Sequence, residues 1–132
     1  MANEATCIET PTKFARYTCA DGNALPIGTL LKLSDPNTAS ATSADNDKFA
    51  GIAWVEKVAN DGVTEIVAAL DGVWDMTDAG AGITVGNVVK VGGANTIMAA
   101  PEASMIIGEL IGKTLEQAGA SEVVRVRVGS II

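Results

Sequence analysis

The chain has 132 residues, of which 48% are hydrophobic and 19% charged; with a mean hydropathy of +0.28 it reads as one globular domain rather than a disordered segment. Its net charge is −7, with 9 Lys+Arg scattered among 16 Asp+Glu, so it lacks the clustered basic footprint of a partner for nucleic acid or anionic membranes. There is no histidine, which excludes Ser-His-Asp and Cys-His catalysis and leaves Cys7 and Cys19 short of a zinc site.

Residues 1–20 start with Met-Ala-Asn-Glu-Ala-Thr, which has neither the basic start nor the apolar run of a secretory leader. The expectation is cytoplasmic synthesis, with Cys7 and Cys19 as free thiols. Lys13, Phe14, Arg16 and Tyr17 follow, in a chain that is only 4% aromatic. They are candidate interface residues, and residues 1–20 read either as an N-terminal arm or as a first strand.

From residue 21 to 132 the sequence predicts a single β domain. Asp21-Gly22-Asn23 is a turn signal, and Gly28 leads into an apolar strand, Leu30–Leu33. Residues 34–48 read as a long, small-polar, exposed loop. Phe49–Lys57 is an apolar run of strand length. Asn60-Asp61-Gly62 signals a hairpin, with Thr64–Leu70 as its second strand. Trp54, inside the apolar run, is expected in the core. Trp74, between Gly72 and Asp75, suits either the core or an interface, where Trp is enriched, and joins the interface candidates.

After the turn Ala79–Gly82, Gly86 leads into another apolar strand, Val88–Val91. Residues 102–118 have helical spacing at Ile107, Leu110, Ile111, Thr114, Leu115 and Ala118. Gly108 and Gly112 would each cost about 1 kcal/mol in a helix interior, so a strand is expected. At the end, Val124, Val126 and Val128 alternate with Val123, Arg125 and Arg127, the pattern of a half-buried strand.

These elements occur twice. Gly28, Lys32 and Asn37-Thr38 match Gly86, Lys90 and Asn95-Thr96 at one constant spacing. Gly51, Glu65 and Gly72 match Gly108, Glu122 and Gly129 at a spacing one residue shorter. The expected fold is therefore all-β, a small barrel or sandwich of two tandem repeats, about 26–74 and 84–131. Gly28, Gly86, Gly72 and Gly129 are expected at structural turns.

No catalytic, cofactor or metal residues emerge. Asp71, Asp75 and Asp78, like Asp45 and Asp47, crowd short stretches but read as solvated turns. The Gly-rich turns lack dinucleotide and phosphate-loop spacing. Two non-enzymatic readings lead, a structural binding protein or a β-barrel with a small molecule between its halves; a carboxylate-dependent hydrolase is the third and weaker one.

The Gly-led strands Ile27–Leu31 and Val85–Val89, the run Phe49–Ala53, the strand Ile66–Leu70 and the step Asp71–Met76 together resemble the small capsid decoration, or cement, proteins of tailed bacteriophages. The resemblance covers about residues 20–130. It implies a compact β-rich fold, often a trimer, bound to the major capsid protein on the outer surface of an icosahedral phage head. It carries no catalytic residues.

Overall fold

The computed structural model describes residues 3–101 and 109–129, and these are all β. The strands are β1 (Thr6–Glu9), β2 (Phe14–Thr18), β3 (Leu30–Asp35), β4 (Thr38–Ala41), β5 (Phe49–Ala53) and β6 (Glu65–Ala69). They continue with β7 (Gly72–Asp78), β8 (Val88–Gly93), β9 (Thr96–Ala99), β10 (Leu110–Thr114) and β11 (Val123–Val128). Strands β2-β4-β3-β5-β6 close a first five-stranded barrel. Strands β7-β9-β8-β10-β11 repeat that order, closed by the parallel β7–β9 contact. The predicted all-β fold built from two tandem repeats is thus present, as a barrel in each half.

Strand pairing defines the repeat more sharply than residue identity does. In β3–β4 the partners run Leu31↔Ala41 to Asp35↔Thr38, with a register shift just before the turn. In β8–β9 they run Val89↔Ala99 to Gly93↔Thr96, with the shift at the same step. Each hairpin turns through an asparagine of positive φ, Asn37 (51°) and Asn95 (54°), a residue type that tolerates the left-handed region. Each is preceded by a turn in which Thr29 or Asn87 donates its N–H back to Pro26 or Thr84. The third residue of that turn is Gly28 or Gly86, with φ of 93° and 83°, as a type II turn demands.

Several expected boundaries move. β2 pairs with β6 from Phe14↔Ala69 to Thr18↔Glu65, as β7 pairs with β11 up to Thr77↔Val123. The repeated unit therefore begins at β2, and the units span about residues 14–70 and 72–129. Leu31 faces Gly51 and Val89 faces Gly112, so Gly51 corresponds to Gly112; Gly108 lies outside the described residues. Glu65 corresponds to Val123, and Gly72 and Gly129 are not counterparts, although both have positive φ. Residues 34–48 are not one loop: Thr38–Ala41 is a strand, and Ala39 is buried. Its small side chains let it lie against neighbouring strands. Within 102–118, Leu110–Thr114 is the expected strand, and 102–108 lie outside the described residues.

Two apolar clusters hold the fold. One fills the first barrel with Cys19, Leu25, Leu31, Ala39, Ala50, Ala53, Ile66 and Ala68. The other joins residues of the second barrel, including Trp74, Met76, Ile97 and Val126, to Leu30, Ile52 and Ala69 of the first. The two barrels are therefore fused by an apolar contact. A clasp crosses it: the Ala5 N–H donates to the Gly28 carbonyl, while Thr6–Glu9 pair with Val73–Asp75 of β7.

Candidate interaction surface

Strand β2 presents its residues alternately, as a pleated strand must. Phe14, Arg16 and Thr18 are exposed, while Ala15 and Tyr17 are half-buried and lead to buried Cys19. Arg16 sits directly across from Val67 on β6, and its guanidinium lies 3.3 Å from Glu65, with both side chains mostly exposed. Such a pair contributes little. One residue past the end of β5, Trp54 donates its backbone N–H to Val67. That bond lays the indole over the outside of the β-sheet, beside Phe14.

Phe14 and Trp54 have ring centroids 5.6 Å apart, and Trp54 meets Trp74 edge-on at 6.0 Å. The three rings run from surface to core: Phe14 is 44% exposed, Trp54 half-buried and Trp74 completely buried. Phe14, Arg16, Trp54, Val55 and Val67 line a shallow depression of apolar floor and basic rim. The aromatic packing fixes the rings in place, so this surface is preorganised for contact.

The expected interface residues separate accordingly. Phe14 and Arg16 line the depression, whereas Lys13 is exposed and lines a separate groove with Asp71 and Arg127. Tyr17 instead packs on the first-barrel cluster and donates its hydroxyl to the Ala50 carbonyl at 3.0 Å. Trp74 belongs to the core, with its indole N–H donated to the Asp71 carbonyl. Trp74 thus takes the core place of its two expected ones, while Trp54, expected inside the core, is half-buried at its edge.

The crowded carboxylates are not all solvated turns: Asp75 and Asp78 lie on β7, and Asp78 is buried. Asp71 accepts the Thr12 hydroxyl and N–H, each at 2.7 Å, and the Lys13 N–H. The Thr12 hydroxyl bond, with the backbone donors, holds its pKa below the ordinary value. Asp78 caps Gly80, Gly82 and Ser121. Asp75 pairs with Arg125 at 3.0 Å. Asp47 caps Ser43 and Ala44, and Asp45 is exposed. Among the described residues no cluster of three His, Cys, Asp or Glu could hold a metal ion. Cys7 and Cys19 are both free thiols, and burial raises the pKa of each.

No protein-family profile matches the chain, and no curated protein matches its sequence. Among solved structures, the fold is similar to the head fiber gp8.5 N base of bacteriophage phi29. The TM-score is 0.55 at 18% identity, covering 89% of this chain and 93% of that one. The likeness therefore extends over both barrels.

Proposed function

We propose that this protein is a virion structural protein that binds the outer surface of a phage-type head and stabilises the shell without catalysis. The observation that carries the reading is the fold shared, across nearly the whole of both chains, with a phage head fiber base. The preorganised Phe14–Trp54 surface supplies a contact site of the right kind: apolar and aromatic at the centre, with Arg16 at the rim. Its expected partner is the major capsid protein. A protein that binds only the assembled lattice shifts the equilibrium toward assembly by mass action. If it binds as a trimer, modest sites add through multivalency. The alternative of a ligand-binding barrel has less support, because Leu31, Ala50, Ile66 and Ala68 pack within the first barrel and Met76, Ile97 and Val126 within the cluster of the second.

The test is co-sedimentation of purified protein with expanded heads, followed by heat or osmotic shock. Binding with increased survival is expected, and Phe14→Ser together with Trp54→Ser should reduce it at least tenfold while leaving the fold intact. Failure of the wild-type protein to bind, or equal survival with and without it, would overturn the proposal.

A further inference from the structure

The contact between the barrels joins two unlike surfaces. The second barrel contributes the tip of its β8–β9 hairpin. Asn95, 1% exposed, accepts the Leu30 N–H at 2.9 Å and donates its own N–H to the Thr42 hydroxyl at 3.1 Å. The first barrel contributes an outer strand face, where Leu30, Ile52 and Ala69 are fully buried in the shared cluster. A tip-on-face contact is heterologous. Each unit owns one tip and one face, so a two-unit chain leaves one of each unused.

The unused tip is the β3–β4 hairpin. Leu33 there is 45% exposed, whereas its counterpart Val91 is fully buried; Asp35, Pro36 and Asn37 are exposed beside it. The corresponding face of the second barrel lies on β8, β10 and β11, where Arg127 is exposed and Val88 and Lys113 are half-buried. Strand registers place Val88, Lys113 and Arg127 where the first barrel has Leu30, Ile52 and Ala69.

The two contacts differ in a correlated way. Inside the chain, a tip with Gly93 meets an uncharged apolar face. On the unused pair, Asp35 replaces that glycine and two cations replace Ile52 and Ala69. None of Asp35, Lys113 and Arg127 has an ion-pair partner among the described residues. The charges are opposite in sign, negative on the tip and positive on the face. Complementary charge of this kind steers and registers a separable contact, while the apolar version is permanent.

We infer that copies of this chain associate head to tail, the β3–β4 tip of one docking on the β8–β10–β11 face of the next. The contact repeats between copies what the chain already does between its own barrels. It does not depend on head binding, and it is measured without heads. The experiment is sedimentation velocity of the full chain at about 100 µM, compared with Asp35→Lys and Arg127→Glu, both exposed positions, with circular dichroism confirming folding. The wild type should form a closed or growing oligomer, weakened by raising salt as exposed charge pairs are. Each variant alone should associate at least tenfold more weakly. An equimolar mixture should recover association, because the unaltered acidic tip of Arg127→Glu can dock on the unaltered basic face of Asp35→Lys. Leu33→Ser should weaken association without changing charge. A monomeric wild type, variants that associate as the wild type does, or a mixture no stronger than its components would each overturn the inference.

Discussion

The interior of the first barrel contains Ala39, Ala50, Ala53 and Ala68 around Leu25, Leu31 and Ile66, whereas the second carries Ile97, Ile111, Thr114 and Val126 at the corresponding positions, with Trp74 where the first has Ala15. The same path of five strands closes around either filling. What the barrels share is the turn with positive φ at Gly28 or Gly86, the asparagine-tipped hairpin and the register shift beside it. Backbone devices thus specify the path, while side-chain volume is free to move. In the first barrel it moves outward, to Leu30 and Ile52, which fuse the two units.

The sharpest way to break this comparison is to remove its first strand. Deleting residues 1–20 takes away β1 and β2, and β2 is the strand that closes the first barrel against β6. The expected result is loss of cooperative thermal unfolding by circular dichroism. A variant lacking only residues 1–9 should keep the first barrel and lose stability through the uncovered β7 edge. A normal melt for the longer deletion would show that β2 is dispensable.

Next in size is the pair of tryptophans. Trp74→Ala empties a fully buried site and should cost about 3–5 kcal/mol in chemical denaturation. Trp54→Ala, at the half-exposed edge of the same aromatic row, should cost less than half as much. Equal losses would mean that Trp54 is as much a core residue as Trp74.

The repeated glycines allow a finer comparison. A Cβ on Gly28 would run into the Ala5 carbonyl, while one on Gly86 would meet nothing within 4 Å. Both alanine variants carry the strain of a left-handed residue, about 1–2 kcal/mol, but only Gly28→Ala adds a collision with the clasp. Its melting temperature should fall clearly further. Indistinguishable melts would show that the clasp yields freely.

The smallest effect is acid sensitivity. In Asp47, burial raises the pKa, but the Ser43 and Ala44 amides and Lys32 outweigh it and leave it lowered. In Asp61, the Val63 amide and Lys57 lower it. Both belong to the first barrel, whereas in the second the lowered carboxylate is Glu109, held by Lys90 and by Lys48 of the first. A folded pKa below the unfolded value adds stability that is full above the ordinary carboxylate value of about 4 and drains away as pH falls past it. Hydrogen exchange should therefore show β3–β6 losing protection before β7–β11 on acidification from pH 6 to 3. The reverse order would place the decisive acids in the second barrel.

Much of this fold was legible as spacing. Glycine and asparagine mark turns whose φ few other residues tolerate, so Gly28/Gly86 and Asn37/Asn95 align by identity. The alternation in Val123–Val128 reads directly as a half-buried strand. β2 escaped as the partner of β7 because only pairing geometry relates them: Ala15 stands where Trp74 does, and Arg16 where Asp75 does. The interaction surface was half visible. Phe14 and Arg16 stood out as bulky residues at the N-terminus, but the exposure of Trp54 and the burial of Trp74 follow from where β5 ends and how the barrels meet. No local pattern encodes that.

The clasp also sets an order of events during synthesis. Thr6–Glu9 are made before either barrel, yet their partners Val73–Asp75 are made only after β2 to β6 are complete. The first barrel can close while β1 waits unpaired, and long-range pairings of this kind are slow to form. This early strand thus finds its place only after the first barrel has been made, and its docking on β7 reports that the second unit has begun to arrive.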